Sequence, residues 1–348
     1  MPEDPDAVVG RPAPVDDPLD VVAIGSSLVD VLSPTTDAEL ARLGLQKGSM
    51  ALVDLAEAEV IGAAAAAGTE VSGGSAANTV VGVAKLGGKA GFVGKVADDR
   101  LGEVFAREIR AAGVLFEPVA GGVEAPEDAG TGRCLILVTE DGERTMSTHL
   151  GVAGTLTPEE VPLDLVGRAQ LLYLEGYLWD LPPAKEAMRR AIGACHDHDG
   201  SVALSLSDSF CVDRHRREFL DLLLSDVDVL FGNEEELVAL FASSTFEGAI
   251  AAAEETGLLV AATRGARGSV VLTAHGPVEV GARAVAHVVD TTGAGDLFAA
   301  GFLYGLSHGK DPVSCAELGT LCAAEIVSHL GARPVADLAA LAAAAGLA

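Results

Sequence analysis

Short apolar runs that alternate with helical patterns constrain this chain more than any other feature. Residues 21–24, 91–93, 171–174, 202–206, 227–231, 258–262 and 270–272 are each strand-sized and apolar, and helical patterns separate them. Apolar strands of this kind must be covered on both faces, so the pattern predicts an α/β fold whose mostly parallel sheet lies between two helical layers. In the clearest helical stretch Leu101, Val104, Phe105 and Ile109 share one face, and Gly113 follows as a stop. Residues 47–54, and residues 133–139 with 144–150 around a turn at 140–143, break the rhythm as strands without intervening helices. They predict a small separate β-sheet, a lid over a site at the ends of the main strands.

The ends differ in composition. Residues 1–18 carry Pro2, Pro5, Pro12, Pro14 and Pro18 among acids, which is the composition of a flexible tail. The expected domain runs over 19–335, with lid segments near 31–55 and 131–150, and residues 336–348 form an Ala-rich helix or tail.

Charge excludes several partners. The formal net charge is −28, with six Lys against 17 Arg, which opposes nucleic acid and anionic membrane. An anionic substrate must then be met by a local site, which screening permits because the global field reaches only about 8 Å at physiological salt. The Ala-rich run at 61–67 falls far short of the roughly 20 residues of a membrane span. No basic region followed by an apolar core opens the chain, so a cytoplasmic protein is expected. The five Cys include no CxxC pair, and neither the His196 and His198 pair nor the Cys211 and His215 pair has further ligands at metal spacing.

Four glycine-bearing or acidic turns carry candidate chemistry. The sequence DTTGAGD, from Asp290 to Asp296, lies between an apolar run at 285–289, read as a strand, and an apolar helix at 297–306. Gly293, Ala294 and Gly295 let the backbone approach an anion, and the helix start directs free amides and its positive dipole end there. Asp296 falls in the first turn of that helix as a candidate base. In SGGSAANT, Gly73 and Gly74 allow backbone contact with a ligand and Asn78 offers an amide donor and acceptor. Asp30, just past the first strand, is suited to accept two sugar hydroxyls. Asn233 and Glu236 open a helix at a strand end, and Thr263, Gly265 and Gly268 follow another strand. No Walker loop and no dinucleotide fingerprint is present.

These motifs, with LGGKAGFVGKVADDRLGE downstream of SGGSAANT, resemble the ribokinase-like PfkB family of carbohydrate and nucleoside kinases over roughly residues 20 to 335. The resemblance implies a three-layer αβα fold, ATP and Mg²⁺, and possible use of K⁺. By that resemblance Asp296 is the base toward a primary hydroxyl, Gly293, Ala294 and Gly295 form an anion hole, and Arg144 is a lid cation. Asp30, Gly73, Gly74 and Asn78 would hold the acceptor, Asn233 and Glu236 would organise Mg²⁺ through water, and Thr263, Gly265 and Gly268 would line the ATP site. Asp290 is the residue implied beside a monovalent cation.

Residues 171–179, 205–210 and 227–236 look most like the adenosine kinases of the family, and Tyr173, Tyr177 and Trp179 suit stacking on a purine. Those enzymes carry Asn where Ser26 stands, which leaves a sugar such as ribose, fructose or a keto-deoxy sugar acid open as substrate. A non-catalytic nucleoside-binding regulator is the alternative outside enzymes. Either monomer or homodimer fits.

Overall fold

The structure is a computed structural model that describes residues 17–65, 68–119 and 129–348. The proposed tail, except for residues 17 and 18, and the end of the Ala-rich run at 66–67 lie outside the described residues.

In chain order the strands are β1 (Leu19–Ile24), β2 (Leu28–Pro34), β3 (Met50–Leu52), β4 (Thr69–Gly73), β5 (Ala90–Val93), β6 (Leu115–Phe116), β7 (Gly132–Val138), β8 (Arg144–His149), β9 (Ala169–Glu175), β10 (Ser201–Ser205), β11 (Val229–Asn233), β12 (Leu259–Thr263), β13 (Ser269–Thr273) and β14 (Gly276–Val280). Each apolar run from 21–24 to 270–272 named above is one of them. Among the described residues nine strands form the large sheet in the order β14-β13-β12-β11-β10-β9-β1-β5-β6. Pairing is parallel from β6 to β12, and β13 and β14 close that edge as an antiparallel pair.

Alternate residues of the central strands feed two cores. Val21 and Ala23 of β1 and Leu171 and Tyr173 of β9 pack with the helices Ser75–Lys85, Ala294–Ser307 and Pro312–Ile326. Val22, Ile24, Leu172 and Leu174 pack on the other face with the helices Pro182–His196 and Ser209–Ser225. This period of two, buried on both sides, is why these strands read as continuous apolar runs.

The smaller sheet has the order β3-β8-β7-β2-β4. The hairpin of β7 and β8 is antiparallel, with Ile136 opposite Met146, and β2 joins β7 in parallel. The small sheet carries two of the candidate segments: Asp30 lies within β2, and Ser72 and Gly73 end β4.

One sequence expectation needs correction: residues 285–289 read as a strand and form none. Val288 and Val289 are 62% and 50% exposed, and the Val289 amide donates to the Val327 carbonyl at 2.8 Å. The β-branched run has strand propensity, but its backbone meets the end of a helix instead of a sheet edge.

Candidate active site

The C-terminal ends of β9 to β12 and the small sheet enclose a cleft of about 1020 Å³. Glu175, Ser205, Asn233 and Thr263 reach it from those strand ends, and Asp30, Met50, Ile136 and Met146 from the other wall.

Asp296 is the third residue of the helix Ala294–Ser307. Gly293 caps that helix at φ 78°, a left-handed conformation that glycine adopts without cost, and a Cβ there would press on Ala332 at 2.9 Å. Gly293, Ala294 and Gly295 line the cleft beside Asp296, so free amides at the helix start face into it. The Ser75 hydroxyl donates to Asp296 Oδ1 at 2.6 Å and the Asn78 amide to Oδ2 at 2.8 Å. Burial pushes the Asp296 carboxyl up from its ordinary range, and those two donors and the Arg333 guanidinium pull it back. Asn78, expected to hold the acceptor, directs one of its two amide hydrogens at the candidate base.

Asp30 faces the same space. Burial and the charge of Asp296 push its carboxyl up to about 7, against the pull of Arg333 and Arg144. Gly73 stands behind it: a Cβ there would overlap the Asp30 carboxylate. Gly74 and Ser26 line the cleft, and Gly73 lies outside its wall.

The raised group has a consequence for stability. A carboxyl with a folded value near 7 holds its proton in the native state while the unfolded chain has lost it, so its contribution is full below about pH 4 and is lost as pH rises through 7. Tm of the unliganded protein should therefore fall between about pH 5 and 8, and Asp30→Asn should flatten that descent. Equal slopes in a thermal melt series would refute the assignment.

Arg144 leaves the small sheet and reaches the glycine turn. Its Nη1 donates to Thr292 Oγ1 at 2.9 Å, and Nη2 pairs with Asp290 Oδ2 at 2.5 Å. Asp290 also accepts from the Thr292 amide at 3.0 Å and the Gly331 amide at 2.8 Å. Asp290 therefore ties the glycine turn to Arg144 and to the segment at Gly331.

Asn233 and Glu236 form a reciprocal capping box at the start of Glu234–Leu240: the Glu236 amide donates to Asn233 Oδ1 at 2.9 Å, and the Asn233 amide to Glu236 Oε2 at 2.9 Å. Both also line the cleft. Burial, with the negative Asp208 and Glu235, pushes Glu236 up to about 7. A buried carboxylate whose charged neighbours are also negative suits a hydrated divalent cation.

Thr263 lines the cleft, whereas Gly265 and Gly268 lie outside its wall. A Cβ on Gly268 would overlap the Val280 carbonyl, so packing against β14 accounts for that glycine. The intervening turn is held by Arg264 and Arg267, both paired with Glu234.

The aromatic cluster divides. Tyr173 and Tyr177 border the cleft, and the Tyr177 hydroxyl donates to the Ser207 carbonyl at 3.3 Å. Trp179 is a core residue instead, 1% exposed and packed on Phe219. Phe210, not singled out in the sequence, is 73% exposed and lines the cleft.

Two further residues escaped the sequence reading. Glu175 accepts from the Ser26 amide at 3.2 Å and the Ala76 amide at 3.0 Å, and burial pushes it up to about 7. Arg333 sits beyond the last motif. Among the described residues there is no cluster of three or more His, Cys, Asp or Glu that could hold a metal, and all five Cys are free and buried. Nor is any described helix long and apolar enough to cross a membrane.

A family model described as pfkB family carbohydrate kinase matches residues 20–338. The chain belongs to the PfkB family. It is an ATP-dependent phosphotransferase that acts on a hydroxyl of a sugar or a nucleoside. The crystal structure of a probable sugar kinase from Rhizobium etli CFN 42 shares 42% identity at a TM-score of 0.88, covering 96% of this chain and 100% of that one. An adenosine kinase from Sinorhizobium meliloti shares 45% identity at a TM-score of 0.86, covering 94% of this chain and 99% of that one. A 5-dehydro-2-deoxygluconokinase from Geobacillus kaustophilus is 28% identical over 278 residues, 75% of this chain and 80% of its own. This PfkB kinase thus has nucleoside and sugar kinases among its relatives.

Proposed function

We propose that this PfkB kinase transfers the γ-phosphoryl group of ATP to the 5′-hydroxyl of adenosine, giving AMP. The observation that carries the proposal is the lining of the cleft, where an exposed aromatic ring, Phe210, and the apolar side chains of Met50, Leu52, Ile136 and Met146 border one space, and Asp30 stands near Asp296. An apolar slot beside a carboxylate suits a flat base joined to a diol. Charge argues against a sugar acid. Among the described residues the Lys or Arg lining the cleft is Arg214, and Asp180 already holds its guanidinium at 2.8 Å and 2.5 Å. A sugar acid needs an unpaired cation, whereas a neutral nucleoside does not.

In this reading Asp30 accepts the two ribose hydroxyls and Asp296 takes the proton of the attacking 5′-hydroxyl. The amides of Gly293, Ala294 and Gly295 hold the charge that develops on the transferred phosphoryl group. Arg144 would reach that phosphate from the lid hairpin on leaving Asp290, and Thr263 borders the ATP side. Asn233 and Glu236 would hold hydrated Mg²⁺, which supplies charge neutralisation between the phosphates. Closure of the small sheet over the cleft would exclude water and limit ATP hydrolysis.

The sugar reading keeps one specific observation, Ser26, which lines the cleft at the position where the adenosine kinases carry Asn. Phosphorylation of adenosine measured beside ribose, fructose and a keto-deoxy sugar acid separates the two. Turnover of a sugar with none of adenosine would sink the nucleoside assignment. Phe210→Ala should raise KM for adenosine by roughly tenfold to a hundredfold, since stacking on one base contributes about 1–3 kcal/mol. An unchanged KM would remove Phe210 from the slot.

A further inference from the structure

The segment from Gly331 to Arg333 touches both halves of the site. The Gly331 amide donates to Asp290, at the start of the glycine turn, and Ala332 packs against Gly293, its left-handed residue. Arg333 then turns to the other half. Its Nε donates to the Ser72 carbonyl at 2.8 Å, Nη1 to the Ala77 carbonyl at 2.8 Å, and Nη2 to the Ser72 hydroxyl at 3.1 Å. Ser72 and Ala77 flank the turn that carries Ser75, and Asn78 follows it; Ser75 and Asn78 are the two donors to Asp296. One guanidinium therefore spans the ends of the turn that orients the base, and its own backbone neighbours hold the anion hole.

We infer that Arg333 is a positioning residue that fixes the Ser75 and Asn78 donors on Asp296 and keeps the two halves of the phosphoryl-transfer site in register. The inference rests on the reading of Asp296 as the base.

A planar fork suits this task, because an ammonium can hold one carbonyl but not both ends of the turn at fixed spacing. Charge adds a second effect. Burial pushes the Arg333 guanidinium down to about 10, and Asp30, Asp296 and Glu108 counteract that. Glu108 also accepts from the Ser72 amide at 2.7 Å, so it braces the same turn from the helix Arg100–Ala111. Around Asp296 the charged or titratable groups are Asp30 from β2, Glu175 and Tyr173 from β9, Tyr177 after it, and Arg333. Of these Arg333 alone is cationic, and it favours the ionised base.

Two variants separate fork from charge. Arg333→Lys should lower kcat about tenfold or more, leave Tm within a few degrees, and leave the acid limb of the kcat–pH profile in place, because the charge remains. Arg333→Met should lower kcat further and move that limb to higher pH by roughly one unit, the size of shift a lost neighbouring charge produces. A folded Arg333→Met with wild-type kcat and an unmoved limb would overturn the inference. Should Arg333→Met fail to fold, Arg333→Lys decides alone: wild-type kcat overturns the positioning role, and a drop in kcat with Tm preserved supports it. Asp296→Asn, assayed in parallel, keeps the two readings apart. Near wild-type turnover there refutes the base, whereas an unmoved kcat in a folded Arg333→Lys with an inactive Asp296→Asn refutes only the positioning role.

Discussion

Replacing Asp296 by Asn is expected to cut kcat by about 10²–10⁴-fold, the usual contribution of a positioned general base. The fold should survive the change. An Asn at 296 can present its amide nitrogen to the Ser75 hydroxyl, which is free to accept, and its oxygen to the Asn78 amide, so both neighbours keep a partner. The acceptor should bind nearly as before, because the loss falls on a proton transfer and not on a binding contact. The pH profile adds a sharper check. Burial raises Asp296, and the base acts in its ionised form, so wild-type kcat should fall as pH drops through the raised value. That acid limb should be missing from the residual activity of Asp296→Asn. Turnover within a few fold of wild type would remove Asp296 from the chemistry.

Local motifs made this centre readable. Gly293 to Asp296 is a contiguous segment, and each residue's part follows from backbone geometry: a left-handed cap, free amides, an acid in the first turn. The apolar strands were equally legible, since burial on both faces leaves no polar face in the sequence. The failures share a cause too. Arg333 lies 261 residues from Ser72 and 256 from Ala77, and no spacing along the chain reveals that its fork closes their turn. Glu175 ends β9, and its partners Ser26 and Ala76 come from two other segments. Trp179 and Phe210 show the reverse error, because an aromatic residue looks the same in a core and in a cleft until packing decides. Residues 285–289 read as a strand because β-branched propensity is local, while a ladder needs a neighbouring edge.

Asp30→Asn is expected to act on binding where Asp296→Asn acts on turnover. Hydrogen bonds to a charged group contribute about 1.5–3 kcal/mol each, so loss of a pair should lower kcat/KM by roughly 10²–10⁴-fold, mostly through KM. The sign of the pH effect follows from burial. With its carboxyl raised to about 7 in the unliganded protein, Asp30 is increasingly protonated below neutrality and accepts fewer hydroxyls. Acceptor KM should therefore rise on acidification from about pH 8 to 6 in the wild type and stay level in Asp30→Asn. A substrate lacking the two hydroxyls tests the contact directly: 2′,3′-dideoxyadenosine should bind the wild type far more weakly than adenosine does, and the gap should close in Asp30→Asn. A gap of equal size in both proteins would place the diol elsewhere in the cleft. Because Asp30 and Asp296 raise each other's affinity for protons, a ligand diol that holds Asp30 ionised should also push Asp296 further up, so the acid limb of kcat belongs at higher pH than the free groups alone would set it.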